Sequence, residues 1–315
     1  MQNKPLIIEN IYKRFGKVQA LNGVSLRLSQ GEIYGLIGPD GAGKTTLMRI
    51  AVSLMKPDKG HIYFQGQELT KDVSFVRSQV GYMPQRFSLY PDLTVEENLR
   101  FFGDLFGIPN QLQNERMKRL YRFSKLEPFK HRRAADLSGG MKQKLALSCM
   151  LMHEPKIIVM DEPTYGVDPV SRSELWGTLK ALAAEGRTIL VSTSYMDEAQ
   201  LCDRVGLIFK GKMLADGTAK TIADKVKASM WRIKTARAFD AYSLLIRFFP
   251  ADDCHVFGNA VHVLDSEKKG RAFIKKVLKD GNVPFDSIAP DKPNIEDAFL
   301  KLIKIEGDGP NAQQQ

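Results

Sequence analysis

One segment decides the fold of this chain: Gly38-Pro39-Asp40-Gly41-Ala42-Gly43-Lys44-Thr45, followed by Thr46. It comes after a short apolar strand, predicted over Glu32–Ile37, and opens a helix predicted over Thr45–Val52. In a glycine-rich loop between a strand and a helix, main-chain N–H groups can surround a phosphate, and the helix adds its positive end. The segment therefore predicts a phosphate-binding loop that holds a nucleotide.

The side chains of this loop can supply charge and a metal ligand. Lys44 would neutralise phosphate charge, and the hydroxyl of Thr45 would complete the shell of a magnesium ion. A chance glycine-rich turn is the alternative interpretation, but the strand before the loop and the helix after it are the context that the pattern requires. We therefore expect the cofactors ATP and Mg²⁺.

A second apolar strand is predicted over Ile157–Met160. Two carboxylates, Asp161 and Glu162, follow it directly. Asp161 would hold the magnesium ion, usually through water, and Glu162 would polarise the water that attacks the nucleotide. A strand that ends at a charged turn is common, so this signal is weak when taken alone. Behind a phosphate-binding loop it is strong, and it predicts hydrolysis.

A short serine-glycine segment lies between these two, in Leu137-Ser138-Gly139-Gly140-Met141. Taken alone it would be an ordinary helix start with a serine N-cap, although its hydroxyl and amides also suit a phosphate. In this chain order, however, the three segments resemble those of the ATP-binding subunits of ATP-binding-cassette (ABC) transporters. The resemblance implies that Ser138, Gly139 and Gly140 contact ATP held by a second copy. The family usually has glutamine at the fifth position, where this chain has Met141.

The resemblance extends over roughly residues 6–220 and implies a fold and further site residues. The fold would be α/β, that of a P-loop NTPase with an inserted helical subdomain. Phe15 would stack on adenine, with a core phenylalanine at a strand end as the alternative. Gln85 would reach Mg²⁺ or the attacking water, and Asp168 would couple the two ATP sites.

One position departs from the family pattern. The family has a histidine after a strand that ends in Ser-Thr, and here that strand, Thr188–Thr193, is followed by Ser194. A serine hydroxyl can hydrogen bond to a phosphate, but it is shorter than an imidazole and cannot be cationic. We therefore expect slowed hydrolysis with persistent ATP binding. The retained Glu162 argues against an inactive site.

The sequence predicts three parts. Residues 1–221 would form the nucleotide-binding domain, with the helical subdomain inserted at about 88–148. After a turn-rich junction, residues 222–305 show the strand and helix patterns of a small C-terminal α+β accessory domain. The polar end of the chain, residues 306–315, is predicted to be a disordered tail.

Two helix starts carry capping residues. Thr94 and Glu97 have the spacing of a capping box, in which each side chain binds the main-chain N–H of the other. Asn294 follows Pro293 and precedes an apolar run, which is typical of an N-cap. These residues predict helices that start close to 95 and 295.

Composition and charge narrow the function classes. The chain has 315 residues, 43% of them hydrophobic, and its three cysteines argue against a disulfide framework or a zinc site. No apolar stretch approaches the ~20 residues of a membrane helix. The net charge of +10 could attract nucleic acid or an anionic membrane, but the basic residues are spread along the chain. We expect a solvated basic surface and no nucleic-acid partner.

Two segments resemble the ABC-2-type, multidrug-like exporters in particular: Glu162-Pro163-Thr164-Tyr165-Gly166-Val167-Asp168-Pro169 and Asn294-Ile295-Glu296-Asp297-Ala298-Phe299-Leu300. The resemblance implies an ATPase that powers export through nucleotide-driven closure of a dimer. The partners would be an integral membrane permease of ABC-2 type and a second ABC subunit, identical or different. The location would be peripheral, on the cytoplasmic face of the inner membrane.

Two alternatives stay open. A soluble ABC ATPase that acts on nucleic acid or the ribosome, or in assembly, would fit the basic charge. The translation-factor type of such proteins carries two cassettes, however, whereas this chain shows no internal repeat. A regulatory, weakly hydrolysing partner cassette in a heterodimer would fit Ser194.

Overall fold

The computed structural model describes residues 4–69, 74–86, 89–226 and 229–307. They fold into two compact units with the boundary between Asp216 and Gly217, whereas the sequence predicts it after residue 221. Within the described ranges, no helix is both long and apolar enough to cross a membrane.

The first unit contains most of the strands and helices. In chain order they are β1 (Leu6–Phe15), β2 (Val18–Leu28), β3 (Ile33–Ile37), α1 (Lys44–Ala51), β4 (Lys59–Phe64), β5 (Gln67–Glu68), α2 (Ser74–Gln79), β6 (Val80–Met83), α3 (Val95–Leu105), α4 (Asn110–Ser124), α5 (Gly139–Leu151), β7 (Ile157–Asp161), α6 (Pro169–Ala184), β8 (Thr188–Thr193), β9 (Arg204–Phe209) and β10 (Lys212–Gly217).

The central sheet of this unit brings distant loops to one edge. Its strand order is β10-β9-β3-β8-β7-β6, and the strands from β9 to β6 are parallel. Ile37 at the end of β3 lies opposite Thr193 of β8, and Asp161 at the end of β7 lies opposite Ser192. Because parallel strands end at the same edge, the loops after β3, β7 and β8 meet there.

Both faces of the central sheet are covered, which explains the continuous apolar runs of its strands. Ile157 and Val159 of β7 belong to a core shared with the antiparallel sheet β2-β1-β4-β5 and with α1. Ile158 and Met160 point to the opposite core, which includes residues of helices α3 to α6. The α/β fold class that the sequence predicts is therefore the observed one.

The helical subdomain is tied into this second core. The predicted capping box is confirmed, since the Thr94 hydroxyl accepts from Glu97 N at 3.2 Å and the Glu97 carboxylate accepts from Thr94 N at 2.8 Å. Helix α4 was not predicted separately. Residues Met196–Leu201 form a short 3-10 helix, with Glu198 buried in it.

The second unit is a small α+β unit with its own core. Its elements are α7 (Ala219–Ala223), β11 (Ser229–Lys234), α8 (Ala238–Leu245), β12 (Cys254–Phe257), β13 (Ala260–Asp265), α9 (Gly270–Asp280), β14 (Ser287–Asp291) and α10 (Ile295–Gly307). The sheet order is β12-β13-β11-β14, all antiparallel. Strand β14 was not predicted.

The end of the second unit corrects one prediction. The Asn294 N-cap is confirmed, because its side-chain oxygen accepts from Glu296 N and Asp297 N at 2.8 and 2.9 Å. Helix α10 runs on to Gly307, so residues 306 and 307 are helical and do not begin the tail. The remainder of the predicted tail, 308–315, lies outside the described residues.

Candidate nucleotide-binding site

The loop after β3 is shaped by glycines that have no room for a side chain. A β-carbon at Gly38 would lie 2.1 Å from the carbonyl oxygen of Ile208. One at Gly43 would lie 2.6 Å from the carbonyl oxygen of Ala20, and Gly43 also has a left-handed φ of 106°. The loop can therefore pack closely against β2 and β9 only with glycine at both positions.

Lys44, the first residue of α1, is almost fully enclosed by this loop. Its side chain is 4% exposed and donates to the carbonyl oxygens of Gly38 at 2.7 Å and Pro39 at 3.0 Å. A third contact, of 2.9 Å, joins the ammonium to Oε1 of Glu162. An ammonium has three hydrogens, so these contacts engage all of them.

Glu162 follows β7 and is the centre of a buried polar cluster. It is 5% exposed, and its second carboxylate oxygen accepts from Gln85 Nε2 at 3.1 Å. Its φ of 50° is in the left-handed region, which is uncommon for a residue with a β-carbon. The structure thus brings together three predicted site residues, Lys44, Gln85 and Glu162.

Asp161 lies one residue earlier, at the end of β7. One carboxylate oxygen, Oδ1, accepts from the Ser192 hydroxyl at 2.6 Å. The other, Oδ2, is buried and hydrogen bonds to none of the described residues. A buried carboxylate oxygen without a donor is costly unless a cation or an ordered water satisfies it. The site therefore fits the predicted magnesium ion.

A magnesium ion here would need oxygens from outside the protein. Among the described residues, no three His, Cys, Asp or Glu side chains are grouped so that they could hold a metal by themselves. Magnesium commonly takes one or two carboxylates and completes its shell with water and substrate phosphates. The few protein ligands available here agree with a magnesium ion that binds together with a nucleotide.

A cavity of about 630 Å³ opens beside this cluster. Its lining includes eight of the predicted site residues: Asp40, Gly41, Gly43, Lys44, Thr45, Thr46, Gln85 and Glu162. The other predicted loop residues, Gly38, Pro39 and Ala42, do not line it. The phosphate-binding loop, the glutamine and the glutamate thus face one common space.

The sequence did not predict the remaining lining residues: Val18, Gln19, Ala20, Arg86, Tyr165 and Lys210. Lys210 could have been found, because it directly follows β9, which is parallel to β3 and therefore ends at the same edge. Arg86 is adjacent to Gln85. The contribution of Val18–Ala20 depends on how β2 packs against the loop, for which the sequence carries no local signal.

Ser194 lies at the same edge of the sheet, directly after β8. Gly38 N donates to Thr193 O at 3.3 Å, and Glu162 N donates to Ser192 O at 3.2 Å. Ser194 therefore directly follows the two residues of β8 whose carbonyl oxygens bind Gly38 and Glu162. Its side chain is partly buried and does not line the cavity.

Phe15, at the end of β1, is not a core residue. Its side chain is 47% exposed, and the ammonium of Lys13 lies 5.7 Å from the ring centroid. Phe15 pairs with Val18 across the β1–β2 turn, and Val18 lines the cavity. The structure therefore rules out the core alternative and leaves an exposed ring near the cavity.

Ser138, Gly139 and Gly140 lie outside this cavity, at the start of α5. The Ser138 hydroxyl accepts from Met141 N at 3.3 Å, which is the N-cap contact. Gly139 has open space around it, whereas a β-carbon at Gly140 would lie 2.3 Å from the Ser171 hydroxyl. Met141 packs against the core instead of presenting a polar group.

The start of α6 lies next to that segment. Asp168 is its N-cap and accepts from Val170 N at 3.1 Å and Ser171 N at 2.9 Å. These hydrogen bonds hold the pKa of the Asp168 carboxyl below its usual value, and the bond from Ser171 has the largest effect. Asp168 and Gly140 thus share a neighbour, Ser171.

Comparison with known proteins agrees with this geometry. Residues 21–165 match the family described as ABC transporter. The probable multidrug ABC transporter ATP-binding protein YbhF of Escherichia coli (strain K12) is 42% identical over 210 residues, covering 67% of this chain. The chain spans only 36% of YbhF's length. The Nod factor export ATP-binding protein I of Burkholderia lata is 41% identical over 70% of this chain and 73% of its own length.

One relative and one solved structure extend the comparison. The linearmycin resistance ATP-binding protein LnrL of Bacillus subtilis (strain 168) is 32% identical over 93% of this chain and 96% of its own length. The dimeric structure of the ATP-binding cassette MJ0796 in a post-hydrolysis state, bound to ADP and Pi, aligns with a TM-score of 0.62 and 27% identity. It covers 68% of this chain and 98% of the cassette. The chain therefore belongs to the ATP-binding proteins of the ABC transporter family.

Proposed function

We propose that this chain binds and hydrolyses ATP and thereby powers an exporter of ABC-2 type, through closure of two such subunits on the nucleotide. The observation that carries the proposal is the buried carboxylate of Glu162, held by Lys44 and Gln85 at the wall of the loop cavity. A general base next to a phosphate-binding lysine is what hydrolysis of a terminal phosphate requires.

The phosphates would be bound by the loop from Gly38 to Thr46. Main-chain N–H groups of its glycines and the start of α1 suit an anion, and Lys44 adds a full positive charge. Thr45, Gln85 and Asp161 would hold the magnesium ion, and the Oδ2 of Asp161, which has no hydrogen-bond partner within the described part of the chain, supports that role. When bound, the ion would neutralise charge that develops on the transferred phosphoryl group.

Hydrolysis would depend on Glu162 and its neighbours. Glu162 would polarise the attacking water, with Gln85 orienting it. Ser194 would offer a hydroxyl near the terminal phosphate, a shorter and uncharged donor in place of an imidazole. Phe15, exposed at the end of β1, would stack on the adenine ring.

A second cassette would complete each site. Ser138, Gly139 and Gly140 lie outside the cavity of their own chain, and Gly139 is open to approach. This supports contact with ATP held by another copy, with Asp168 beside the interface. That the related cassette MJ0796 forms a dimer supports the same arrangement. The second subunit could be the same chain or a different cassette.

The names of the relatives support an export role. They include a probable multidrug transporter protein, a Nod factor export protein and a linearmycin resistance protein. By analogy, this chain would bind a membrane-embedded permease of ABC-2 type and lie peripherally on the cytoplasmic face of the inner membrane. Because these names concern transport, we prefer this role to that of a soluble ATPase acting on nucleic acid or in assembly.

One observation favours a variant of this function. Ser194 follows β8 at the position where the family has a histidine. A cassette that binds ATP tightly but hydrolyses it slowly could serve as the regulatory member of a heterodimer. Turnover of the purified chain alone, compared with that of the complex, would distinguish a slow cassette from an active one.

Substitution at the base tests the ATPase proposal. Glu162→Gln should lower ATP turnover by about 10²–10⁴-fold, because a positioned base contributes that much. ATP binding, followed with a fluorescent ATP analogue, should persist. Lys44→Ala should instead weaken binding of the analogue. Unchanged turnover in Glu162→Gln would overturn the role of Glu162.

A pull-down tests the transport proposal. The tagged chain would be recovered from detergent-solubilised native membranes, and the proteins that co-purify would be identified. An integral membrane protein with several spans would support the exporter, and a second cassette would indicate a heterodimer. Recovery of ribosomes or of soluble proteins alone would contradict it.

A further inference from the structure

Ser192 is a buried hydroxyl near the carboxyl end of the central sheet, opposite Asp161. It is fully buried in β8, between β3 and β7, and its neighbours along the strand include Leu190 and Val191. A hydroxyl in such a place is unfavourable unless it is hydrogen bonded. Ser192 both donates and accepts a hydrogen bond, and both partners belong to the Asp161-Glu162 pair.

The donated bond fixes the orientation of Asp161. The Ser192 hydroxyl donates to Oδ1 at 2.6 Å, a short distance of the kind seen when the acceptor is a carboxylate. With Oδ1 engaged, Oδ2 is the oxygen that stays buried without a partner among the described residues. Ser192 thus determines which oxygen of Asp161 is free for a cation.

The accepted bond helps to hold the main chain of Glu162. Glu162 N donates to the Ser192 hydroxyl at 3.0 Å and lies 3.2 Å from the Ser192 carbonyl oxygen. These contacts anchor a residue whose φ of 50° is strained for glutamate. The carbonyl contact does not need the side chain, so removing the hydroxyl should affect Asp161 more than Glu162.

We infer that Ser192 is a positioning residue for the magnesium–nucleotide complex, acting through Asp161. The inference rests on the proposed function, since it concerns the metal that accompanies ATP. Groups that hydrogen bond to metal ligands fix the orientation of those ligands, and their loss typically costs about 10–100-fold in metal affinity or activity. Loss of the Ser192 hydroxyl should therefore weaken the metal-dependent part of nucleotide binding.

The test compares the affinity for N-methylanthraniloyl-ATP in Mg²⁺ and in EDTA. In the wild-type chain, Mg²⁺ should strengthen binding. Ser192→Ala should reduce this gain by roughly 10-fold or more and leave the affinity in EDTA unchanged. Binding of Mn²⁺ in the presence of the analogue, followed by electron paramagnetic resonance, should weaken in parallel.

The same strand offers a matched control. Thr188 is also buried in β8, at the opposite end of the strand, and its hydroxyl donates to Ser29 O at 3.3 Å. Thr188→Val removes a buried hydroxyl and nearly preserves volume, so it should destabilise the fold without changing the Mg²⁺ gain. If Ser192→Ala does not fold, Ser192→Cys carries the same test, because a thiol is only a weak donor.

The outcomes separate the two proposals. If Mg²⁺ strengthens binding equally in the wild type and in Ser192→Ala, the role of Ser192 is overturned and the proposed function stands. An equal loss of the Mg²⁺ gain in Thr188→Val would also overturn it, since the effect would then be general to the strand. A wild-type chain that binds no nucleotide analogue in either buffer would overturn the proposed function together with this inference.

Discussion

Glu162 combines two unfavourable features in one residue. Its carboxylate is buried, and its backbone is in the left-handed region, which costs of order 1–3 kcal/mol for a residue with a side chain. The charge is compensated by Lys44 and Gln85, and Tyr165 N donates to the Glu162 carbonyl oxygen at 3.1 Å. Strain of this kind persists only where the surroundings fix the residue, which is the case at this edge of the sheet.

At Ser194, restoring the histidine of the family pattern should speed hydrolysis. In Ser194→His, an imidazole after β8 could donate to the terminal phosphate where a serine reaches less far. Turnover should rise by about 10-fold or more, because a single donor to the developing charge is worth at least that much. Steady-state phosphate release from the purified chain measures the change.

Ser194→Ala is the control for this substitution. It should leave ATP binding intact and should not raise turnover, since it supplies no donor. No rise in Ser194→His, with nucleotide binding unchanged, would mean that Ser194 is not what limits hydrolysis.

The site could be predicted where its chemistry is local in the chain. The glycine-rich loop and the Asp161-Glu162 pair are short segments whose flanking strands are visible in the sequence. That Lys44 contacts Glu162 depends on the register of parallel strands far apart in the chain. Spacing alone carries no information about that register.

Among the elements, the end of α3 is joined to the segment before β7 by a stacked ring pair. The centroids of Phe106 and His153 are 4.0 Å apart with 16° between the planes, and His153 Nε2 lies 3.2 Å from Val80 O. Burial, together with the guanidinium groups of Arg116 and Arg187, lowers the pKa of His153 below its usual value. The buried surroundings of His153 therefore favour a neutral imidazole.

Burial of His153 should make the first unit less stable in mild acid. The unfolded chain binds a proton on His153 near pH 6.5, whereas the folded chain does so only at lower pH. Stability from this residue is thus complete above about pH 6.5 and is lost as the pH falls toward the folded pKa. Urea unfolding at about pH 7.5 and pH 5.5 should show the loss, and it should be smaller in His153→Gln.

The comparison has an internal reference. Between about pH 7.5 and pH 8.5 His153 is neutral in both states, so the wild type and His153→Gln should change in parallel there. An acid loss of the same size in both proteins would assign it to other groups.

Prediction of the elements succeeded where end signals were present. Thr94, Glu97 and Asn294 are caps that act on their own helix, and both predicted helix starts are observed. Helix α4 has a polar sequence with a weak apolar stripe, β10 is a short strand that ends in Asp216-Gly217, and β14 is a short strand that pairs with the distant β11. For these elements tertiary packing outweighs local preference.

For the whole molecule, each unit has a core of its own. A fragment that ends at Thr218 keeps every element of the first unit, including β10. It should bind the fluorescent ATP analogue within about threefold of the full chain, or ~0.7 kcal/mol. Titration of the purified fragment measures this, with its Lys44→Ala variant as the control for specific binding. A folded fragment without affinity would mean that the second unit is needed for nucleotide binding.

The lysine contacts have a consequence for the order of events in turnover. All three hydrogens of the Lys44 ammonium are engaged, two by loop carbonyls and one by Glu162. A phosphate oxygen can accept a hydrogen bond from Lys44 only by displacing one of these partners. Of the three, the carboxylate of Glu162 carries the same sign of charge as the incoming phosphate. Under the proposed function, loading of the nucleotide and release of Glu162 would be one step. The carboxylate would act as a built-in competitor for the phosphate, so that the base would become available only once its substrate has arrived.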